Sequence, residues 1–359
     1  MRVDFVISNL GSDGAQRVVA TLANYLSENN YKVRIITFRE GDRYSLNPSV
    51  ERIRLHKHLR LFDSNLARAA WHLARFYKKK TNRPDIISSH IHTMGLVTIP
   101  ISRLYGIKLV VSEHNNYLAT KMTPKKWFLW NFLYRFPEKV TILTSFDKVY
   151  FDKKSENVEI MPNPLSFEPN LGLRNRTDKT IVLAGNLDRY HHKGFDNLMH
   201  IIAGVRERHK DWQFKIVGDG NKGLPILKTK AEKLGVLDAI EFAGYRPDIK
   251  EILQTSEIFM LCSRYEGLPM VLLEAASQGI TCIAYNCISG PSEIIEDGVS
   301  GILVENQNIS DMVGKTIGLI EDKELRERLS NNAVKYIEKF SIETIGNRWQ
   351  EIFKELRSN

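Results

Sequence analysis

The sequence has few cysteines and no long apolar run. Only Cys262, Cys282 and Cys287 occur among 359 residues, and an odd number at this spacing fits neither a disulfide framework nor a metal site. This scarcity favours a reducing compartment, so we expect a cytoplasmic protein. No apolar run approaches the about 20 residues that span a bilayer. The N-terminal run Val3–Ile7 is broken at Asn9, which is unlike a secretory signal.

Acidic residues are sparse in the first half of the chain. Residues 1–165 contain 26 Lys and Arg but only 14 Asp and Glu, whereas the remainder contains 25 and 28. The net charge of +9 therefore comes from the first half, and it predicts an anionic partner there. Nucleic acid and a phospholipid surface both fit this charge, and scattered solvated lysines would give the same count.

Short β-branched runs alternate with amphipathic stretches along the chain, which is typical of parallel α/β domains. The length exceeds that of one usual core, and the sequence Met161-Pro162-Asn163-Pro164 interrupts the alternation. We predict an α/β protein with two doubly wound, Rossmann-like domains that face each other across a cleft. The first would comprise residues 1–164 and the C-terminal helix 342–359, and the second residues 165–341. The predicted strands are Val3–Ser8, Val33–Phe38, Ile53–Leu55, Ile86–Ser89, Leu109–Ser112 and Val140–Leu143, then Ile181–Ala184, Phe214–Val217, Ile240–Phe242, Ile258–Leu261, Cys282–Tyr285 and Gly301–Val304.

Glu266 and Glu274 flank the start of a predicted helix in the sequence EGLPMVLLE. The helix should begin near Met270, after an apolar strand, so that Glu274 falls just over one turn inside it. Backbone N–H groups and the dipole at a helix start attract anions, whereas carboxylates beside such a site bind hydroxyl groups. This combination predicts a sugar nucleotide, although an ordinary strand–loop–helix with surface glutamates would have the same sequence.

Turns with glycine or a basic residue follow the predicted strands of the second half. Cations near a helix start would neutralise a diphosphate, glycines let the backbone approach a ligand, and free backbone groups could bind the edge of a base. Exposed basic residues in ordinary turns are the alternative at each position. In chain order the positions are Arg189, Lys193 and Gly194, then Gly218 and Asp219, then Tyr245 and Arg246, then Gly290-Pro291-Ser292-Glu293.

In this order the motifs resemble the retaining glycosyltransferases of family 4, which have the GT-B fold. The first half agrees, because segment 9–18 (NLGSDGAQRV) and the sequence Ser112-Glu113-His114-Asn115 are similar to the family's glycine-rich loop and strand-end histidine. The resemblance covers essentially the whole chain. It implies a UDP-sugar donor, no further cofactor, and retention of the anomeric configuration.

The resemblance also implies a role for each motif. Glu274 would bind the ribose hydroxyls and Glu266 the hydroxyls of the transferred sugar. Lys193 would neutralise the diphosphate, and His114 would lie against the sugar near the reacting carbon, although a histidine after an apolar strand is often structural. The donor site would be completed by Gly14, which leaves room for the diphosphate or the acceptor, and by the loop Gly267, Leu268, Pro269 and Met270, which supplies backbone amides.

Two positions depart from the family pattern. Asn186 stands where the family usually has Arg, and Arg189 or His191 would have to supply that charge. Gln16 stands where the glycine-rich loop usually ends in Glu. No Asp-x-Asp sequence occurs, so we expect no metal ion and a leaving group stabilised by cations and amides. No nucleophile for a double displacement is evident, which favours front-face attack with the donor phosphate accepting the acceptor's proton.

Two segments of the basic half fit a membrane surface. Residues 66–80 form a predicted amphipathic cationic helix, and six of the ten residues 127–136 are aromatic. A helix buried on the sheet is an equal alternative for the second segment. We expect peripheral contact with the anionic inner face of the plasma membrane and a lipid-linked acceptor, rather than nucleic acid. The residues assigned to this contact are Lys78, Lys79, Lys80, Lys125, Lys126, Trp127 and Trp130.

Together with the two basic segments, the resemblance implies transfer of a hexose or N-acetylhexosamine from a UDP-sugar to a glycan on polyprenyl diphosphate. The same resemblance places galactose and N-acetylgalactosamine ahead of the gluco sugars and implies a pathway of surface polysaccharide, O-antigen or glycoprotein glycan assembly. Two alternatives stay open. One is a UDP-sugar epimerase or hydrolase of the same fold, and the other is a basic membrane- or nucleic-acid-binding module without turnover.

Overall fold

The computed structural model describes residues 1–11, 14–55, 64–119, 121–170 and 178–358. The chain divides into two units, one of Met1–Ser166 with Phe340–Asn359 and one of Phe167–Lys339. Each unit is built on a parallel sheet with helical connections, so the predicted class of two doubly wound α/β domains is confirmed.

The described part of the first unit contains a seven-stranded parallel sheet. Its strands are β1 Arg2–Val6, β2 Lys32–Thr37, β3 Glu51–Arg54, β4 Ile86–His90, β5 Lys108–Ser112, β6 Lys139–Ile142 and β7 Val158–Ile160. Its helices are α1 Gly14–Glu28, α2 Asn65–Lys78, α3 His92–Tyr105, α4 Pro124–Phe128, which continues as a π-helical turn Leu129–Leu133, and α5 Ser145–Phe151. The strand order is β3-β2-β1-β4-β5-β6-β7, and the short edge strand β7 is the one that the sequence did not predict.

A buried carboxylate fixes the first strands to helix α2. Asp4 accepts hydrogen bonds from Arg34 Nε at 2.7 Å, from Arg34 Nη2 at 2.6 Å and from the Tyr77 hydroxyl at 2.7 Å. Burial raises the pKa of Asp4, but three donors satisfy its oxygens. The contact joins β1, β2 and α2 inside the core of this unit.

The C-terminal helix, labelled α13 below and spanning Ile342–Ser358, belongs to the first unit. Ile345, Trp349 and Phe353 lie on its buried stripe, as its helical periodicity indicates. The helix packs closely on α1, because a Cβ at Gly346 would lie 2.3 Å from Cε1 of Tyr25. This contact returns the end of the chain to the N-terminal sheet.

The described part of the second unit contains a six-stranded parallel sheet. Its strands are β8 Asp178–Ala184, β9 Gln213–Val217, β10 Ile240–Gly244, β11 Ser256–Leu261, β12 Thr281–Tyr285 and β13 Ile302–Val304. Its helices are α6 Phe195–Arg206, α7 Gly223–Lys233, α8 Ile249–Thr255, α9 Met270–Ser277, α10 Pro291–Ile294, α11 Ile309–Glu321 and α12 Lys323–Tyr336. The strand order is β10-β9-β8-β11-β12-β13.

This order contains a reversal that marks a binding position. The chain moves from β8 outward to β9 and β10, and then starts again beside β8 with β11, followed by β12 and β13. Ligands of open parallel sheets bind at the carboxyl ends of the strands where the order reverses. A ligand is therefore expected at the loops after β8 and β11.

Candidate active site

Lys193 and Glu266 meet at this reversal. Lys193 follows β8 and Glu266 follows β11, and Nζ of the lysine lies 2.7 Å from Oε1 of the glutamate. The two side chains are 15% and 10% exposed. Burial opposes ionisation of Glu266, but the adjacent ammonium outweighs it and holds the pKa of this carboxyl below its ordinary value. The carboxylate is charged at neutral pH and able to accept hydrogen bonds from hydroxyl groups.

The backbone of the Lys193 loop presses on the backbone after β11. Gly194 has a φ of 69°, and a Cβ at this position would lie 1.9 Å from the carbonyl oxygen of Cys262. The N–H of Arg264 also donates to the carbonyl of His192 at 2.9 Å. Only glycine allows this approach, so Gly194 fixes the position of the loop. Lys193 is the residue before Gly194, and helix α6 begins just after it at Phe195.

Arg264, which the sequence analysis did not identify, fastens the same loop with its side chain. Its Nη1 donates to Oδ1 of Asp196 at 2.7 Å and to the carbonyl of His191, and its Nη2 donates to Oδ2 of Asp196 at 3.0 Å. Burial opposes ionisation of Asp196, but Arg264 and His191 lower the pKa of this carboxyl. Arg264 therefore ties the start of α6 to the loop that carries Glu266.

Asn186 and Arg189 lie at exposed positions of the Lys193 loop. Oδ1 of Asn186 accepts a hydrogen bond from the N–H of Asp188 at 2.8 Å, and it caps the short turn Leu187–Arg189. Nη2 of Arg189 lies 3.0 Å from Nδ1 of His192, whose pKa falls to about 4 because burial and the charge of Arg189 disfavour its protonation. The neutral imidazole accepts this hydrogen bond and holds the guanidinium at the surface of the loop.

Glu274 lies inside helix α9, which begins at Met270 as predicted, and its side chain is almost wholly buried. The residue before this helix, Pro269, has no side-chain group that caps it. The predicted turn at Gly290 packs against the loop between Glu266 and α9, because a Cβ at Gly290 would lie 2.5 Å from the carbonyl oxygen of Gly267. The Ser289 hydroxyl donates to the same carbonyl at 3.1 Å. The loop between Glu266 and α9 is thus held from the side of β12 as well.

The turn after β9 packs against neighbouring loops. A Cβ at Gly218 would lie 2.0 Å from the carbonyl oxygen of Gly185, so its missing side chain makes room for protein backbone, where the sequence suggested a ligand. Oδ1 of Asp219 accepts a hydrogen bond from the N–H of Tyr245 at 2.8 Å. Arg246 pairs with the carboxylate two residues further on, at 2.8 Å. Asp219 and Arg246 therefore order these loops, and the Tyr245 ring lies exposed beside them.

In the first unit, His114 follows β5 and lies in a cluster of buried polar groups. Its Nε2 is 2.8 Å from Nδ1 of His90, and burial lowers the pKa of His114 to about 4. The preceding Glu113 accepts hydrogen bonds from Nε1 of Trp130 at 2.8 Å and from the Tyr134 hydroxyl. His114 is therefore a neutral imidazole at a fixed strand end.

The glycine-rich segment begins helix α1 at Gly14, and residues 12–13 lie outside the described residues. Oδ1 of Asn9 accepts hydrogen bonds from the N–H of Gly11 at 3.0 Å and from Nε2 of Gln16 at 3.1 Å. An ionised glutamate at position 16 has no hydrogen to donate to this oxygen. Gln16, which stands where the family usually has Glu, can therefore donate a hydrogen bond to Asn9 that an ionised glutamate could not.

Helix α2 does not present an apolar face to a membrane, which corrects the expectation for residues 66–80. Ala69, Leu73 and Tyr77 are buried in the core of the first unit, so the apolar stripe packs on the protein's own sheet. Lys78, Lys79 and Lys80 are exposed. They precede β4 and so lie at the N-terminal ends of the parallel strands, whereas His114 follows β5 at the C-terminal ends.

The aromatic segment 127–136 divides into a buried and an exposed side. Trp130 is buried, and Lys126 is also buried with its Nζ 4.0 Å from the centroid of the Trp130 ring. The prediction that these two side chains contact a membrane is therefore wrong. The exposed aromatic side chains are Trp127, Phe128, Phe132 and Phe136. Lys125 is exposed as well.

The described residues contain neither a membrane-spanning helix nor a cluster of metal ligands. No helix in that part of the chain is long and apolar enough to cross a bilayer. No three His, Cys, Asp or Glu side chains there come together in an arrangement that could hold a metal ion.

Family models match both halves of the chain. The model of glycosyltransferase family 4 matches residues 12–168, and the model of glycosyl transferases group 1 matches residues 168–336. The amylovoran biosynthesis glycosyltransferase AmsD of Erwinia amylovora is 30% identical over 361 residues, which cover 96% of this chain and 97% of AmsD. These matches include the strand-end loops of both units.

Two further proteins resemble the chain over almost their whole length. A Campylobacter jejuni enzyme is 28% identical over 367 residues, covering 100% of this chain and 99% of its own. It is named an alpha-1,4-N-acetyl-D-galactosaminyltransferase of a GalNAc- and diNAcBac-containing PP-undecaprenol. The solved structure of S. aureus TarM, in a complex that contains UDP, has a TM-score of 0.84 at 14% identity and covers 98% of this chain and 99% of that one. The chain therefore belongs to glycosyltransferase family 4, and it is a glycosyltransferase with the GT-B fold.

Proposed function

We propose that the protein is a retaining glycosyltransferase that moves a hexose or N-acetylhexosamine from a UDP-sugar to a glycan carried on polyprenyl diphosphate. The observation that carries the proposal is the ion pair of Lys193 and Glu266 at the strand reversal, 2.7 Å long and largely buried, beside the start of α9. An ammonium and a charged carboxylate in contact suit a ligand that has both phosphate and hydroxyl groups. A UDP-sugar has both at the bond that breaks.

The donor would lie with its diphosphate at Lys193 and at the amides that start α9. Glu266 would accept hydrogen bonds from hydroxyls of the transferred sugar, and Glu274, inside α9, would accept them from the ribose. Arg189 is an exposed cation on the Lys193 loop and would supply the charge that Asn186 lacks. The exposed ring of Tyr245 is suited to contact with the base. In this assignment residues 165–341 form the donor domain, and residues 1–164 with helix 342–359 form the acceptor domain.

The transfer breaks the bond between C1 of the sugar and the β-phosphate oxygen of UDP. The acceptor hydroxyl forms its new bond to C1 on the same face, its proton passes to the departing phosphate oxygen, and UDP leaves. Lys193 and the helix amides would stabilise the charge that develops on the leaving oxygen. Glu266 would keep the sugar oriented while C1 acquires oxocarbenium character. We expect this chemistry to run without a metal ion.

The sugar and the acceptor are proposed from the relatives together with the sequence. The Campylobacter jejuni relative is named for transfer of N-acetyl-D-galactosamine and for an undecaprenyl-diphosphate glycan. The Erwinia amylovora relative is named for biosynthesis of amylovoran. Galactose or N-acetylgalactosamine is therefore placed ahead of the gluco sugars, with a role in surface polysaccharide or glycoprotein glycan assembly.

A lipid-linked acceptor requires peripheral contact with the inner face of the plasma membrane. The exposed rings of Trp127, Phe128, Phe132 and Phe136, with Lys125 beside them, fit the headgroup region of an anionic bilayer. Sedimentation with anionic liposomes tests this contact, with Phe128→Ser as the variant. Ile226→Ser is the control, because Ile226 is 47% exposed and Phe128 is 48% exposed, but Ile226 lies in the second unit. Equal sedimentation of the two variants, or no binding of the parent protein at any salt concentration, contradicts it.

A product assay tests the proposed activity. The protein is incubated with a panel of UDP-hexoses and UDP-N-acetylhexosamines, with and without a polyprenyl-diphosphate glycan, and the products are identified by mass spectrometry and by anomeric NMR couplings. We expect acceptor-dependent release of UDP and an α-linked product from an α-linked donor. Glu266→Ala should abolish turnover, whereas Glu251→Ala, on the surface of helix α8, should not. An isomerised donor would identify an epimerase, and no turnover would favour a binding module.

A further inference from the structure

A chain of three polar side chains runs from inside the first unit to His114. Oγ of Ser88 lies 2.9 Å from Nε2 of His90, and Nδ1 of His90 lies 2.8 Å from Nε2 of His114. Ser88 and His90 are fully buried on strand β4. Nδ1 of His114 is also buried, and no partner for it exists among the described residues. This series of hydrogen bonds thus ends on one side at the buried Ser88 hydroxyl. On the other side it ends at Nδ1 of His114, which has no partner among the described residues.

Both imidazoles are neutral at physiological pH. Burial holds the pKa of His90 far below its ordinary value, and the neighbouring His114 lowers it further. Burial alone lowers the pKa of His114 to about 4. Apolar rings surround His90, with the centroid of Phe5 at 5.4 Å and that of Trp349 at 6.0 Å. Each ring therefore carries one hydrogen, and the two contacts can be made in only two ways.

In the first arrangement the Ser88 hydroxyl donates to Nε2 of His90, Nδ1–H of His90 donates to Nε2 of His114, and the remaining hydrogen is on Nδ1 of His114. In the second arrangement every direction is reversed. Nδ1 of His114 is then a bare acceptor, and the Ser88 hydroxyl needs a second partner for its own hydrogen. Ser88 has no such partner in the described part of the chain. The second arrangement leaves two buried groups without partners, the Ser88 hydrogen and the bare Nδ1 of His114, whereas the first leaves only Nδ1–H of His114. Because each unsatisfied buried polar group is costly, the first arrangement is favoured.

We propose that Ser88 and His90 are positioning residues that fix His114 as a hydrogen-bond donor through Nδ1–H. The group that accepts this hydrogen is an oxygen of a bound substrate, either a hydroxyl or the carbonyl of an acetamido group. A nitrogen that carries hydrogen cannot take a proton, so His114 does not act as the base for the acceptor hydroxyl. The role of this hydrogen rests on the proposed function, whereas the position of the hydrogen itself does not.

The position of the hydrogen is measured directly by NMR. Protein labelled with ¹⁵N in histidine is recorded in two-bond ¹H–¹⁵N correlation spectra, which separate protonated from bare ring nitrogens. Loss of signals in His114→Gln and His90→Phe assigns the two rings. We expect both rings to be neutral at pH 7.5, with hydrogen on Nδ1 and bare Nε2. Hydrogen on Nε2 of His114, or a charged ring, would overturn the proposal whether or not the protein is active.

The role of Ser88 is tested with a matched pair of variants. Ser88→Ala removes the hydroxyl that sets the direction, so a second set of His114 ring signals should appear. Ser89→Ala is the control, because Ser89 is the next residue of β4, is equally buried and also loses one hydroxyl contact, that from Thr98 at 2.9 Å. It should leave the spectrum of His114 unchanged. Identical spectra of the two variants would contradict the role of Ser88.

Turnover gives a second measurement once the donor is known. Loss of one neutral hydrogen bond should lower kcat by about 2- to 10-fold in Ser88→Ala. Ser88→Thr, which keeps the hydroxyl, should restore most of it. If Ser88→Ala matches the parent protein while the NMR result holds, the hydrogen on His114 has no part in the transfer. If the parent protein has no transferase activity, the proposed function fails and the NMR result stands by itself.

Discussion

Replacing Lys193 with methionine should destabilise the second unit and raise the pKa of Glu266, which the lysine holds below its ordinary value. The ammonium is the main group that keeps this buried carboxyl ionised, because burial by itself opposes ionisation. Methionine fills a similar volume but leaves the carboxylate at 10% exposure without its cation. Burial then raises the pKa of Glu266 instead of letting it fall below its ordinary value.

The magnitude follows from the burial of the pair. Removing one partner of a fully buried ion pair costs about 3–5 kcal/mol, and partial exposure here lowers our expectation to about 2–4 kcal/mol. Glu266→Gln should cost only about 1 kcal/mol, because Lys193 keeps an acceptor and has a long flexible chain. The double variant Lys193→Met/Glu266→Gln buries no charge, so it should be more stable than Lys193→Met alone.

The pH dependence has a definite sign. In the parent protein the pKa of Glu266 is lowered, so its contribution to stability is present at neutral pH and is lost only as the pH falls through that lowered pKa. In Lys193→Met the pKa of Glu266 should be raised. The deficit relative to the parent is therefore largest above this raised pKa and shrinks as the pH falls through it toward the ordinary value of 4.5.

Native-state hydrogen exchange is the suitable assay, because it measures each unit separately. The slowest amides of β8 and β11 give the free energy of unfolding of the second unit. They are compared for the parent, both single variants and the double variant at several values of pH. A coupling of at least about 1 kcal/mol between the two positions is expected. Additive effects, or a deficit that does not change with pH, would refute the reasoning.

Two further predictions concern the loop that carries Lys193. Gly194→Ala should unfold or displace this loop and remove activity, because the new Cβ would lie 1.9 Å from a carbonyl oxygen. Thermal unfolding and turnover check it, with Gly314→Ala as the control, since nothing lies within 4 Å of a Cβ at that helical position. Arg264→Ala should raise the KM for the donor more than Arg264→Lys does, because lysine keeps a charge but not the paired contact with Asp196. Equal KM values for the parent and Arg264→Ala would contradict the role of this arginine.

The elements of the fold were predictable because their signals are local. Apolar runs bounded by turns marked the predicted strands, and the described strands differ from them by a few residues at most. From the sequence, Lys193 and Glu266 were assigned to one donor site through the family resemblance, but the ion pair between them was not predicted. The strand β7 was missed because Val158–Ile160 is only three residues long and half-buried.

Other features depend on contacts that the sequence does not reveal. Arg264 and Asp196 are 68 residues apart, and neither has a local feature that distinguishes it from other surface charges. Trp130 and Lys126 belong to an aromatic and basic segment that fits a membrane surface, and only the packing on the sheet shows that these two side chains face inward. Gly218 has a sequence that suits approach to a ligand, but the backbone of Gly185 occupies the space.

The division of roles between Glu266 and Glu274 is the central claim for the site, and titration calorimetry with UDP tests it most directly. UDP contains the ribose and the diphosphate but lacks the transferred sugar, so the experiment needs no knowledge of which sugar is used. Glu274→Gln should weaken UDP binding by about 10- to 100-fold, as expected for loss of charged hydrogen bonds. Glu266→Gln should leave it unchanged or tighter, because a neutral amide oxygen holds Lys193 less strongly than a carboxylate does and competes less with the diphosphate. Equal weakening by both variants, or weakening by Glu266→Gln alone, would contradict the account.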